Sequence, residues 1–186
     1  MIGFKHYYKS EEMIGTGDYA FRRISSQAPE AETDERFIAY VNGTLEELLP
    51  EDFGNITETP EYLFPRETLR PSEFEVKPFK ITLPDTITTI GNESFMCNNI
   101  KEIVFPSNIK TIGNYVMNIC YENSIADFSK AKSIPTIVQI QHSENDFSYQ
   151  AFNDDNLVTI KVPNSLYSQW ITADGWSDLS SKIVSV

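Results

Sequence analysis

The chain has 186 residues, 40% of them hydrophobic, and a formal net charge of −12 at pH 7. This size allows one buried core with a small appendage. The acidic balance argues against binding to nucleic acid, which needs clustered Lys and Arg, and it disfavours contact with anionic membranes. No run approaches the roughly 20 apolar residues of a membrane-spanning helix.

The N-terminal residues, the cysteines and the histidines bear on export and on metal binding. Residues 1–12 lack a continuous apolar core and a small-residue cleavage site, so we expect no secretory signal peptide. Two cysteines, Cys97 and Cys120, do not make a disulfide framework, and we expect both to be small apolar fillers. His6 and His142 are far apart in the chain, and no Cys/His spacing predicts a metal site.

The N-terminal segment, residues 1–36, differs from the rest of the chain. Residues 25–35 are polar and acidic, which is typical of a linker, and we place the first domain boundary here. We expect the segment 1–36 to anchor the protein or to form an oligomer. Residues 37–41 predict a strand that ends at the turn Asn42-Gly43, and residues 45–53 predict a short helical or irregular piece.

Two later segments repeat each other. Residues 81–95 and 103–117 carry matching residues at one constant offset. The matched pairs are Ile81 with Ile103, Pro84 with Pro106, Ile87 with Ile109, Ile90 with Ile112, Gly91 with Gly113, and Phe95 with Met117. A fixed period of about 22 residues is typical of a solenoid, in which short units stack their apolar faces.

Weaker copies flank the two clear ones. Residues 56–64 match residues 87–95, and residues 152–163 match residues 95–106, each at its own constant offset. The first weak copy is followed by an insertion within 65–80, which we expect to bulge out as a loop. The array therefore extends on both sides of the clear repeats.

Alternation within each copy predicts which side chains lie inside. Residues two apart on a strand point to the same side, so Ile81, Ile103 and Ile160 should face one core from a common sheet. The intervening residues should form an exposed sheet face where partners bind. These residues are Lys80, Thr82, Glu102, Val104, Thr159 and Lys161.

The C-terminal part of the chain has a less regular pattern. Alternation predicts strands at 125–129 and 136–141, and helical spacing of apolar residues predicts a helical cap over 164–186. Trp170 and Trp176 allow two interpretations. They bury themselves in a cap that covers the last repeat, or they form an exposed platform for carbohydrate.

One protein family shares the repeated motif. The pattern Leu-Pro-x-x-Ile-x-x-Ile-Gly-x-x-x-Phe from Leu83 to Phe95, with its copy from Phe105 to Met117, resembles the BspA-type leucine-rich repeat. The resemblance implies a mostly β or α+β fold over residues 37–186, built as a short leucine-rich-repeat solenoid.

The ending of the chain, around Trp170, Gly175-Trp176 and Ile183, is similar to the ending of such arrays. The resemblance implies a non-catalytic adhesive protein, since members of the family are surface proteins of bacteria and some protists. Similar short arrays occur in bacteriophage virion proteins. Because we expect no signal peptide, we interpret the chain as a virion component that binds a protein partner in the particle or on the host surface, with a homo-oligomer as a possibility. The alternatives are a bacterial surface adhesin, a cytoplasmic binding module or a glycan-binding module.

Residues that could carry chemistry are few. No Gly-x-Ser-x-Gly motif is present, and the adjacent acids Glu46-Glu47 and Asp154-Asp155 are typical of solvated turns. We therefore expect no enzyme, no metal site and no cofactor.

Overall fold

The computed structural model describes residues 46–53, 55–59, 78–95, 100–117, 123–143, 146–149, 151–152 and 157–186. Several sequence predictions lie outside these residues. They are the segment 1–36, the strand at 37–41 with its turn, most of the 65–80 insertion, and the two cysteines.

Short strands are the main regular elements of the described chain. In order they are β1 (Glu47–Leu48), β2 (Glu58–Thr59), β3 (Phe79–Thr82), β4 (Thr89–Ile90), β5 (Ile100–Val104), β6 (Thr111–Ile112), β7 (Ser124–Asp127), β8 (Thr136–Ile137), β9 (Gln139–Ser143), β10 (Asp146–Tyr149), β11 (Leu157–Val162) and β12 (Ile183–Ser185). The helical segments are α1 (Pro50–Phe53), a 3-10 helix at Asn164–Leu166, α2 (Tyr167–Trp170) and a 3-10 helix at Ser177–Lys182.

Two parallel sheets organise these strands. A six-stranded sheet has the order β1-β3-β5-β7-β11-β12, and a four-stranded sheet has the order β2-β4-β6-β8. The first four units thus place one strand in each sheet, as expected for a short solenoid of stacked repeats, and β11 and β12 extend only the six-stranded sheet. Strands β9 and β10 form a separate antiparallel pair.

The six-stranded sheet is aligned by its inward side chains. One row of paired residues crosses the whole sheet and consists of Leu48, Ile81, Ile103, Ala126, Ile160 and Ile183. Each of these side chains is buried. The prediction that Ile81, Ile103 and Ile160 face one core from a common sheet is therefore confirmed.

The four-stranded sheet repeats this arrangement with two-residue strands. Its inward row consists of Thr59, Ile90, Ile112 and Ile137, all of them buried. Thr59 pairs with Ile90, as the alignment of residues 56–64 with 87–95 requires. The weak first copy is therefore a structural unit of the array.

One hydrophobic cluster connects the inward rows of both sheets. Phe105 and Phe128, on neighbouring units, stack with ring centroids 4.1 Å apart and an interplanar angle of 7°. Phe95 and Met117 occupy equivalent places in their units and are both fully buried. Burial of such a side chain contributes about 1.5–3 kcal/mol, but only where a neighbouring unit covers it. The stacking of units is therefore the source of the core.

The turns after the four-stranded sheet are held together from unit to unit. The backbone N–H of Asn114 donates to Oδ1 of Asn92 at 2.9 Å, and the backbone N–H of Glu93 donates to the carbonyl oxygen of Asn114 at 2.8 Å. Glu93 and Tyr115 both have positive φ, 54° and 52°. Gly113 lies where these turns approach most closely, and no side chain fits there.

The segment that contains β1 and α1 differs from its prediction. Within residues 45–53, the described part consists of the strand β1 and the single helical turn α1, where the sequence predicted a helical or irregular piece. Leu48 is fully buried and pairs with Ile81. Two residues are too few for alternation to be visible in the sequence, so only the pairing with β3 reveals the strand.

The strand predicted at 136–141 is two strands. It breaks at Val138, whose side chain is exposed, so that β8 joins the four-stranded sheet and β9 turns away to pair with β10. Alternation indicates which side of a strand is buried, but it does not indicate which sheet the strand joins. This hairpin was therefore not predicted.

The C-terminal residues contain less helix than the apolar spacing predicts. The α-helical part is one turn, Tyr167–Trp170, between two 3-10 helices, and Gly175 has a positive φ of 75°. The chain then adds β12 to the six-stranded sheet, parallel to β11. The sequence prediction placed no strand here.

A methyl group at Gly113 should destabilise the fold. A Cβ there would lie 2.8 Å from the backbone nitrogen and from Oδ1 of Asn92, and 2.8 Å from the carbonyl carbon of Gly91. We expect Gly113→Ala to lower the free energy of unfolding by about 1–3 kcal/mol, because backbone atoms must move to make room. Urea unfolding measures this loss. The exposed Thr136→Ala serves as control and should change it by less than about 0.5 kcal/mol; equal effects would contradict the close approach of the turns.

Asp85 should make stability depend on pH in acid. Its Oδ1 accepts the backbone N–H of Ser107 at 3.0 Å, and this hydrogen bond lowers the pKa of the Asp85 carboxyl below its ordinary value of 3.8. The stabilisation is present above the unfolded-state pKa and is lost as the pH falls through the lower pKa of the folded state. Asp85→Asn should therefore lose less stability than the parent between about pH 4 and pH 2. Chemical denaturation at several pH values measures the free energy of unfolding of both proteins. An equal fall of this free energy in the two proteins over the same pH range would contradict the prediction.

Candidate binding face of the six-stranded sheet

The outer face of the six-stranded sheet presents two rows of side chains. They lie between the inward rows, because successive residues on a strand alternate sides. The first row consists of Glu47, Lys80, Glu102, Ile125 and Thr159. The second row consists of Thr82, Val104, Asp127, Lys161 and Val184. We call this surface the outer sheet face, and it contains all six residues that the sequence predicted for binding.

Charged side chains at the centre of the outer sheet face are joined in a network. Oε2 of Glu102 forms an ion pair with Nζ of Lys80 at 3.1 Å, and Oε1 of Glu102 accepts a hydrogen bond from Nζ of Lys161 at 3.3 Å. Lys161 also lies 3.9 Å from Oδ2 of Asp127. Because β7 separates β5 from β11, Lys161 reaches across a whole strand to contact Glu102. Four neighbouring strands, β3, β5, β7 and β11, are thereby connected through their side chains.

The lysines of this network are more exposed than its acids. The side chains of Lys80 and Lys161 are 41% and 30% exposed, whereas those of Glu102 and Asp127 are 17% and 14% exposed. A ligand that approaches the centre of the face therefore meets ammonium groups first. Because the chain as a whole has a net charge of −12, the two lysines make the centre of the face less acidic than the protein on average.

The remaining predicted residues differ in exposure. Thr82 and Thr159 are half-buried, as expected for a sheet surface. Val104 is only 8% exposed, so the prediction that it is exposed is wrong. It lies between Thr82 and Asp127 on the adjacent strands, and these neighbours shield it. Together with the half-buried Ile125, it forms an apolar floor among the charged groups.

A comparison with protein families agrees with this architecture. The family described as BspA type leucine rich repeat region (6 copies) matches residues 53–138 and residues 79–170, which together are more than half of the chain. This chain belongs to the BspA-type leucine-rich-repeat family. The resemblance predicted from the repeated motif is confirmed. A comparison with curated proteins finds no match.

Asp127 is a member of the outer sheet face that the sequence prediction missed. In this leucine-rich-repeat chain it ends β7, where its Oδ1 accepts the backbone N–H of Ser129 at 2.8 Å while Oδ2 faces Lys161. The sequence signal was available, since Asp127 occupies the same register position as Val104 and Lys161. It was obscured because an Asp before Phe-Ser also fits the start of a turn.

Trp170 and Trp176 lie inside the protein. Both are fully buried, and their ring centroids are 5.2 Å apart. Phe128 contacts both rings, at 5.5 Å and 5.4 Å, and Nε1 of Trp176 donates to the carbonyl oxygen of Pro135 at 2.8 Å. A sugar stacks on an exposed ring, so the alternative of a carbohydrate platform formed by these two residues is wrong.

The described residues also bear on metal binding and on membrane insertion. Within those residues, no group of three or more His, Cys, Asp or Glu could hold a metal ion. No described helix is both long and apolar enough to cross a membrane.

The two tryptophans should differ in their contribution to stability. Trp176→Phe removes the donor to the carbonyl oxygen of Pro135, whereas Nε1 of Trp170 is buried and has no hydrogen-bond partner among the described residues. Both substitutions remove a similar apolar area. We therefore expect Trp176→Phe to lower the free energy of unfolding by about 1 kcal/mol more than Trp170→Phe does. Chemical denaturation of both variants tests this, and a larger loss for Trp170→Phe would refute it.

Proposed function

We propose that this protein is a non-catalytic interaction module that binds a protein partner through the outer sheet face. The observation that carries the proposal is the network of Lys80, Glu102 and Lys161, in which Glu102 contacts two partly exposed ammonium groups on a parallel sheet. Membership of the BspA-type leucine-rich-repeat family supports an interaction role.

The network favours binding because it fixes the positions of its side chains, and not because its ion pairs are strong. Ion pairs at a surface contribute only about 0–1 kcal/mol to stability. Side chains that are already held in one geometry, however, lose little further conformational entropy when a partner docks. Glu102 therefore acts as a positioning residue, and Lys80 and Lys161 are the contact residues. A partner that offers carboxylates or carbonyl oxygens at this centre fits the face best.

We further propose that the module is carried on a bacteriophage particle, as a fibre, tail or capsid decoration. The support is the resemblance of this short array and its ending to arrays in virion proteins. A bacterial surface location is the alternative for the same binding face. A virion component is present in purified phage particles, whereas a bacterial surface protein is present in purified cell envelopes.

We also propose that residues 164–186 close the end of the array. An open solenoid end exposes its core, so terminal units need a covering segment. Trp170, Trp176 and Ile183 are buried, while Asn164, Ser165 and most residues of the Ser177–Lys182 helix are exposed. This distribution is what a covering segment requires.

Removal of the two exposed ammonium groups should weaken attachment to the particle. In the double variant Lys80→Ala/Lys161→Ala, we expect at least about a tenfold lower amount of the protein per particle, because a desolvated charge contact is worth about 1.5–3 kcal/mol. Quantitative mass spectrometry of purified particles measures this amount against the major capsid protein.

A matched control removes the same number of charges elsewhere. Lys130 and Lys132 are exposed and lie outside the two rows of the outer sheet face, so Lys130→Ala/Lys132→Ala should leave the amount per particle unchanged. An equal loss in both double variants would overturn the assignment of the binding face. Absence of the unmodified protein from particles would overturn the virion proposal alone.

A further inference from the structure

Among the described residues, β12 is the last strand of the six-stranded sheet and forms its edge. It pairs with β11 on one side, and no described residue pairs with its other side. Val184 and Val186 are 42% and 58% exposed, and they are two of the three exposed large apolar residues of the described chain. A strand with an exposed edge and exposed apolar residues is a template for pairing with another strand.

The backbone groups of β12 show which residue is available for such pairing. Val186 donates its N–H to the carbonyl oxygen of Val162 at 3.0 Å, and its own carbonyl oxygen accepts from the N–H of Asn164 at 3.0 Å. Val186 therefore bonds towards β11. Since alternate residues of a strand bond to opposite neighbours, the N–H and C=O of Ser185 point away from β11. Ser185 is also exposed.

The opposite edge of the sheet has a different character. There, β1 carries Glu47 and follows the exposed Glu46, and charges of this kind discourage the addition of a strand. In β12, by contrast, the run from Ile183 to Val186 contains no charged side chain and no proline. The β12 edge is thus the more suitable end of the sheet for pairing, and contact between unlike ends would place valines against acids.

We propose that β12 pairs antiparallel with β12 of a second copy of this chain, with the two-fold axis at Ser185. In that register the two Ser185 residues exchange both of their outward backbone hydrogen bonds. Val184 of each copy then lies opposite Val186 of the other, so that the four exposed valines pack against each other in two cross-strand pairs. The edge is self-complementary, as a two-fold interface must be. A second copy is therefore the occupant that this edge fits best.

The size of this contact sets its strength. One pair of short strands buries less area than the roughly 1,000 Å² of a stable specific interface, so the free dimer is weak, with a Kd on the order of 0.1–1 mM. Such an edge becomes effective where two copies are already held close together, because the second contact is then intramolecular. This inference does not depend on the proposed function. Val184 adjoins Lys161 on the outer sheet face, but strand pairing uses the outward backbone groups of Ser185, whereas the proposed function uses the ammonium groups of Lys80 and Lys161.

Sedimentation equilibrium of the full chain tests the proposal. The average mass of the parent should rise from that of a monomer at about 10 µM towards that of a dimer at about 1 mM. Ser185→Pro removes the outward N–H and should abolish the rise, while proline at the solvent side of an edge strand leaves the bonds to β11 intact. Ser185→Ala retains the N–H and should dimerise like the parent.

A second variant distinguishes loss of the β12 contact from misfolding of the Ser185→Pro variant. Val186→Lys places a charge opposite the exposed valine of the second copy without changing any backbone group, and it should also abolish the rise. Melting temperatures of all variants establish that they are folded. A parent that stays monomeric at the highest concentration overturns the proposal. So does a dimer that persists in both Ser185→Pro and Val186→Lys, because the contact must then lie elsewhere.

Discussion

The structure depends on the cover that each unit gives to the next. A two-residue or four-residue strand with a few isoleucines cannot bury them alone, but the row from Leu48 to Ile183 places every inward side chain between neighbours of similar character. The stacked rings of Phe105 and Phe128 continue this contact beyond the strand. The position of each turn and each outward residue follows from this alignment.

The same stacking constraint explains why equivalent turns carry similar residues in successive units of this chain. Neighbouring units approach closely enough for the Asn92 side chain to bond to the backbone of the next turn, and Gly113 leaves the space that this approach needs. The outer sheet face then arises without further cost to the core, because alternate residues must point outwards. Function in such a chain can therefore vary on one side of the sheet while the other side keeps the stack.

The two ends of the six-stranded sheet differ in character, because stacking constrains the inward side chains and leaves the edges of the sheet free to vary. The β1 end carries acids, and the β12 end carries valines with backbone groups that point outwards. Close to the second end, Trp170 and Trp176 bury against Phe128. The charged centre of the outer sheet face and the apolar β12 edge adjoin where Val184 lies beside Lys161, but they differ in the groups they present: charged side chains at the centre, and valines with outward backbone groups at the edge.

The sequence by itself determined the period, the inward residues Ile81, Ile103 and Ile160, the first weak unit and the family, because stacking imposes the same apolar position at every turn of the chain. It also identified most of the outer sheet face, since alternation is a local property. Only the tertiary structure decided that Lys161 crosses β7 to Glu102, that Val104 is shielded, that β9 leaves the stack and that β12 joins the sheet. Each of these depends on which strand lies beside which, and no local pattern of residues contains that information.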